Sequence, residues 1–410
     1  MLLAGVGNDT TVFKTEDAAT TLFDTLVNTD NMNTGSGFAN SNGNIVITSS
    51  VGTSVGANAK VRNYAANSNI TINNSGADGV SISGEVSNPN GNLTINNAGG
   101  ELLVNTTGLL KNKGNMLLVN NGAGTGINLN GTITNTGNLT INNETGANGL
   151  LVGGGIVTNK SGTANITNNK GLLKVAQGAK VVSEGTSLTV TNTATGSGTT
   201  IAGTVENKAG TATVENRAGE LLVDTTGLIK GSGSKLTIKN SGSGLRIAAG
   251  GAVQNTNTLE ISNSGANGLN VLGSITNTGK TDISNTGAAG INLDNSGTIT
   301  NNGSSLNITN SGASGINVKG LIKTTNSGTV NITNSNSNIV IGDNSANDNY
   351  ITSDGKVTIT QTNGNILNSG HKKTHIKTTN GANLVMNVTN GAIGTEVGPC
   401  KGGICTGIGA

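Results

Sequence analysis

The chain has no tryptophan, two tyrosines and three phenylalanines in 410 residues, and only two prolines and two cysteines. With aromatics at 1%, it lacks the large side chains that would fill the wide interior of an ordinary globular domain of this length. Charged residues make up 11% and the formal net charge is +2, too little for a phosphate-tracking surface, so nucleic acid is not an expected partner. No run approaches the ~18 apolar residues of a membrane-spanning helix. Met1-Leu2-Leu3-Ala4 has no basic stretch and is too short for a secretion signal. If the protein is exported, its targeting segment is expected to precede this sequence, which then reads as the C-terminal part of a longer chain.

What is abundant is glycine, at 65 residues, with asparagine, threonine and serine. Such a composition suggests low-complexity disorder, but 33% of residues are hydrophobic and they recur regularly. A motif of apolar-x-apolar followed by Asn or Thr starts fifteen times between Ile45 and Leu384, at intervals of 22–27 residues. Residues 259–280, LEISNSGANGLNVLGSITNTGK, show the unit most clearly. Leu259 and Ile261 share one face of a first short run, Leu269 and Val271 one face of a second, and Ile275 points inward from a third. Period-2 alternation marks half-buried strands. The Asn-Ser-Gly, Asn-Gly and Asn-Thr-Gly steps between them supply residues that tolerate left-handed backbone at sharp corners.

Three short strands per ~23 residues predict an all-β fold, a right-handed parallel β-helix of triangular coils, roughly 15 of them stacked over about 70 Å. About five aliphatic side chains per coil cannot offset the ordering of the whole coil, so a coil is stable only when stacked on others. Helical solenoids are excluded by the Gly/Asn density and the lack of a 3.6-residue pattern. Residues 101–111, ELLVNTTGLLK, return as residues 220–230, ELLVDTTGLIK, five coils later, as expected of a spacer lengthened by duplication. The repeat assigns residues 1–40 to an N-terminal cap or truncated coil, 41–390 to the β-helix and 391–410 to a C-terminal tail. Within the first segment, Thr15 to Leu26 is expected as a short helix.

Catalytic chemistry on a β-helix would need carboxylates gathered on neighbouring coils of one face. Glu206, Glu215 and Glu220 come closest, beside Lys208 and Arg217, and read as a solvated charged face. Tyr64 and Tyr350 are too far apart in coil number to form a sugar-stacking platform. The protein is therefore not expected to be an enzyme. The insert His371-Lys372-Lys373-Thr374-His375 places His371 and His375 on one strand face and Lys373 and Lys377 on the other. It reads as a basic end-cap loop, with docking on an acidic rim or anionic lipid as the functional alternative. No third metal ligand accompanies the histidines, and no metal or cofactor is expected. Thr132-Ile133-Thr134 and Thr298-Ile299-Thr300 do not recur coil by coil as an ice-binding array would. Asn-x-Ser/Thr triplets occur about fourteen times, among them at Asn69, Asn92, Asn138, Asn165, Asn307 and Asn331. With Asn and Thr this common, the number is what chance gives, and stacking into hydrogen-bonded ladders is the expected role of most.

The two cysteines, Cys400 and Cys405, stand close together near the end of the sequence. Pro399 sets the approach and Gly402-Gly403 lets the chain double back, so a small disulfide ring is sterically open to them. A pair of reduced thiols in a frayed tail is the alternative. A Gly/Asn/Thr-rich β-helix followed by Pro399-Cys400-Lys401-Gly402-Gly403-Ile404-Cys405 resembles the large secreted adhesins of the two-partner secretion class, in particular the high-molecular-weight adhesins that stay tethered to the cell surface. That resemblance implies a disulfide hook of Cys400 and Cys405, held by a cognate outer-membrane secretion barrel, with residues around 385–399 threading its pore. It also implies modification of Asn-x-Ser/Thr sites, a secreted, surface-anchored location, and an unidentified host-cell or glycan receptor; a monomer is expected. The competing expectation is another exported β-helix, either the rod of a contact-dependent inhibition toxin or a polysaccharide-acting passenger.

Overall fold

Regular structure in the computed structural model is entirely β among the described residues, which are 44–124, 126–343, 350–369 and 375–395 with the backbone of strands Thr11–Thr15 and Gly37–Asn40. The helix expected over 15–26 falls outside them, apart from Thr15, which closes a strand. Each coil runs through three short strands, and each strand pairs in parallel with its counterpart one coil later. In one coil these are Thr258–Asn263, Leu269–Val271 and Ser274–Asn277. Ile261 is in register with Ile283, Leu269 with Ile291 and Ile275 with Ile299. The fold is a right-handed parallel β-helix of about 14 triangular turns some 24 residues apart. The fifteenth repeat start, Leu384, opens a coil of which two strands are described, Leu384–Asn390 and Ile393–Thr395.

The chain divides into two compact units, 1–211 and 212–410. In each, alternation does what period 2 demands: Leu259, Ile261, Leu269, Val271 and Ile275 are all at most 1% exposed, and the residues between them face outward. Stacked Leu, Ile and Val form most of a narrow core. The duplicated segments occupy equivalent places, Leu102–Val104 with Leu109–Asn112 in the first unit and Glu220–Val223 with Leu228–Gly231 in the second.

The corners are built differently from the sequence expectation. Asparagine does adopt positive φ at Asn67, Asn326 and Asn380. The asparagine that ends the first strand in the coils from Asn74 to Asn334 instead points inward and is buried. In the first unit the Nδ2 of Asn74, Asn97, Asn120, Asn143 and Asn168 each donates to Oδ1 of the next, ending on Asn192, at 2.7–3.2 Å. In the second unit the row runs Asn216, Asn240, Asn263, Asn285, Asn310, Asn334 and Gln361, at 2.7–2.8 Å. Many of these Nδ2 groups use a second hydrogen on a carbonyl of their own corner, as Asn97 does on Gly100 (3.0 Å) and Asn143 on Gly146 (2.9 Å). A carbonyl facing the core would otherwise lack a donor, so the amide is what lets a tight corner be buried. Shorter rows, such as Asn112, Asn135 and Asn159, close the third strands in the same way.

In many coils glycine stands just before the third strand, with Ala59 and Ala179 in its place in two of them. A Cβ on Gly131 would lie 2.3 Å from the Gly108 carbonyl of the preceding coil, and one on Gly320 would lie 2.1 Å from that of Gly297. The last two complete coils lengthen at this same corner, between Ile339–Ile341 and Ile351–Ser353 and between Ile366–Asn368 and Ile376–Thr378.

Replacing Asn120 by Ala leaves the Nδ2 of Asn97 and the Oδ1 of Asn143 without their coil-to-coil partner, at about 1–3 kcal/mol for each buried group. The expected result is accelerated amide exchange in the coils on both sides of residue 120. Thr132→Ala, at an exposed outward position of Thr132–Asn135, should leave exchange there within about twofold of the parent.

Candidate functional surface

The outward side chains carry whatever chemistry the protein presents. Asn69, Asn92 and Asn138 sit where the chain turns into a first strand. Their Oδ1 atoms accept from the backbone of the next coil: Asn92 N–H to Asn69 (3.2 Å), Asn115 N–H to Asn92 (2.8 Å) and Thr163 N–H to Asn138 (2.9 Å). These are the ladders expected from the repeat, with Asn115 as an additional rung. Asn165 lies outward and half-buried in Thr163–Asn168, between Thr140 and Thr189 in register. Asn307 and Asn331 form a row of their own, Asn331 Nδ2 donating to Asn307 (2.8 Å) and Asn307 Nδ2 to Asp282 (2.6 Å). Their amide nitrogens, the atoms a sugar would join, are thus engaged along the outer face.

Glu206, Glu215 and Glu220 do not act together. Glu215 pairs with Arg217 on its own strand, and Glu220 receives both Nε (2.8 Å) and Nη2 (3.2 Å) of Arg246 from the next coil. Lys208, expected beside them, turns to Glu184 (2.8 Å), which Lys160 reaches from the other side (3.1 Å). Bonds from Lys208 and Lys160 hold the Glu184 carboxyl below its ordinary range, and the same contact raises Lys208. Glu260 stands in direct register with Asp282, each carboxylate with its own lysine at 2.7 Å, Lys235 and Lys280. Sequence reasoning misses this pair, although both residues hold the same place in the strands TLEISN and KTDISN, and aligning those strands finds it.

Tyr64 is exposed in the first unit, whereas Tyr350 is buried in the second. His375 is buried as well, at 3% exposure, which corrects its expected place in an exposed basic loop. Its ring stacks on Tyr350, with centroids 5.5 Å apart, and Nε2 lies 3.2 Å from the Ser369 carbonyl. The Tyr350 hydroxyl in turn donates to Asp343. Lys377, one strand position beyond Ile376, remains exposed. His371 and Lys373 are outside the described residues, as are Cys400 and Cys405. Of the segment expected to thread a pore, 385–395 belongs to paired strands: Leu384–Asn390 lies on Val357–Asn363 and Ile393–Thr395 on Ile366–Asn368. Among the described residues no three His, Cys, Asp or Glu side chains gather into a metal-binding group. No protein-family model, curated protein or solved structure matches the chain.

Arg62 meets Glu85 through Nε (3.2 Å) and Nη2 (2.7 Å). Partial burial pushes the Glu85 carboxyl up, but the Arg62 bonds and charge, with Lys111 and Lys60 nearby, outweigh it and leave the group below its usual value. A depressed carboxylate contributes stability that is present above its unfolded value of ~4.3 and is lost as pH falls through the lower folded value. Glu85→Gln should therefore lower thermal stability at pH 7 by on the order of 1 kcal/mol. The gap from the parent should close below about pH 4, as measured by melting curves across pH.

Proposed function

We propose that this chain is the stalk of a secreted bacterial adhesin of the two-partner secretion class, held at the cell surface through its C-terminal segment. The observation that supports this reading best is coil-to-coil continuity within each unit. Strand follows strand in parallel register from coil to coil, the buried amide row of the first strands runs from Asn74 to Asn192 in one unit and from Asn216 to Gln361 in the other, and several outward charges are paired with one another. A surface of that kind suits spacing and presentation. The tail keeps Cys400 and Cys405 as the proposed hook, lodged at the outer-membrane secretion barrel. Because 385–395 belongs to the β-helix, the part offered to the pore begins at residue 396. Asn-x-Ser/Thr modification, where it occurs, is proposed to precede folding, since the Nδ2 groups of Asn307 and Asn331 are committed to neighbours in the folded coil.

A second reading, a polysaccharide-acting passenger, draws on the register of Glu260 with Asp282. On the stalk reading these two carboxylates only balance Lys235 and Lys280. Loss of depolymerising activity towards an acidic polysaccharide on Glu260→Gln or Asp282→Asn would favour the second reading over the first.

The anchor is tested by Cys400→Ser or Cys405→Ser in cells that carry the cognate barrel. A ring this small constrains only a local segment, at about 2 kcal/mol, so the melting of the β-helix should stay unchanged. The protein should nonetheless move from the cell surface into the medium, because an open Gly-rich tail slides through a pore that stops a closed loop. Retention of the Cys400→Ser protein on cells in normal amount would overturn the anchor.

A further inference from the structure

The duplicated segments part at a buried strand end. Residues 101–112 read ELLVNTTGLLKN and residues 220–231 read ELLVDTTGLIKG, so Gly231 holds the place of Asn112. Both close a third strand, Leu109–Asn112 in the first unit and Leu228–Gly231 in the second. In the first copy Asn112 Nδ2 donates to Asn135 Oδ1 of the next coil at 2.9 Å. In the second, Gly231 stands in register with Asn255 and has no side chain to offer, and Asn255 Oδ1 is buried without a hydrogen-bond partner. Asn255 is 5% exposed, and its Nδ2 goes the other way, to Asn277 at 2.9 Å. A Cβ on Gly231 would lie 2.5 Å from Asn255 Oδ1, so that oxygen borders the place of the missing amide.

Among the third strands from Lys60–Asn63 to Ile351–Ser353, Gly231 is the one closing residue without a side chain. Oδ1 of Asn112, Oδ1 of Asn207 and Nδ2 of Asn301 are also unpaired, but each has a side chain in register on a neighbouring coil, Asn88, Ser183 and Thr324, that can swing towards it. At Gly231 there is nothing to swing, and glycine adds backbone freedom to the strand. One buried acceptor left unmatched in this way raises the opening equilibrium of the contact by about tenfold.

The other two faces of the same coils are tied. On the first, Asn216, Asn240 and Asn263 continue the buried row at 2.7–2.8 Å, and Lys235 meets Glu260 at 2.7 Å. On the second, Arg246 reaches Glu220 through Nε and Nη2. The loss is confined to the third face and to the corner after it, Gly231-Ser232-Gly233-Ser234, whose serines are exposed. Three bonds from the next coil hold that corner: Thr256 N–H to the Gly231 carbonyl (3.1 Å), Asn257 Nδ2 to that of Gly233 (2.8 Å) and Thr258 N–H to that of Ser234 (3.3 Å).

We propose that Gly231 is a built-in opening point of the second unit and its first site of proteolytic nicking. Leu228–Gly231 and the corner after it lift from Ala252–Asn255 while the first and second strands stay stacked. The lifted segment is an extended Gly/Ser-rich chain that begins at Lys230, the form and side chain a trypsin-like protease takes. Cleavage adds one water across the Lys230–Gly231 peptide bond. The opening belongs to the folded protein in solution and does not rest on the stalk reading.

Limited trypsin digestion of the purified full-length protein, read by mass spectrometry and normalised to the unfolded chain, should cut Lys230–Gly231 about tenfold faster than Lys111–Asn112. Hydrogen exchange should give the same ratio between amides 228–231 and 109–112. Gly231→Asn should slow exchange and cleavage at its own site about tenfold, and Asn112→Gly should quicken both at 109–112 by a similar factor. The second variant decides if the first misfolds, since a Cβ at 231 would lie 3.0 Å from Leu236 Cβ. Equal protection of the two sites in the parent would overturn the proposal. So would unchanged exchange at 228–231 in a folded Gly231→Asn protein, or at 109–112 in Asn112→Gly.

Discussion

A chain that turns three corners every two dozen residues must bring backbone carbonyls into its own interior, and everything else depends on satisfying them. The buried asparagine at the end of most first strands meets this demand. One amide offers two hydrogens and an acceptor, enough to serve its corner, the coil above and the coil below. Because Nδ2 of each asparagine points to Oδ1 of the next, the amide dipoles align along the stack and polarise one another. The register follows: shifting a strand by one residue would turn its amide to solvent and leave a carbonyl inside without a donor.

Once corners and core are committed in this way, freedom remains only on the outward positions, and there the sequence varies. Threonine, lysine, leucine and glutamate exchange from coil to coil on the third face at sites such as Lys60, Glu85, Leu109 and Thr132. Some charges pair one coil apart, as Arg62 with Glu85 and Glu220 with Arg246, and others along one strand, as Glu215 with Arg217. Such a scaffold accepts changes of outward residue without cost to the core, which is the property the proposed stalk role draws on.

Much of this is legible in the sequence. Leu259, Ile261, Leu269, Val271 and Ile275 follow from period-2 alternation, and the coil from its recurrence. Registers between coils are not, because they require setting strands such as TLEISN and KTDISN side by side, and so the Glu260–Asp282 pair escapes a reading along the chain. The inward asparagines depart from expectation for a physical reason: Asn after a strand is commonly a left-handed turn residue, and nothing local reveals that this one extends the alternating pattern into the core. His375 departs similarly. Its basic neighbours suggest solvent, while its place directly above Tyr350 in the stacked coils buries it.

The way the coils are joined also governs how they come apart under load. Each coil is bound through its neighbours alone, by hydrogen bonds lying nearly along the stacking direction. A pull applied through the backbone therefore strips coils in succession. Each releases about 24 residues, roughly 80 Å of extended chain in exchange for about 5 Å of stack. A tether made this way lengthens in steps of roughly 75 Å and dissipates work at every step, while the coils not yet reached keep their structure.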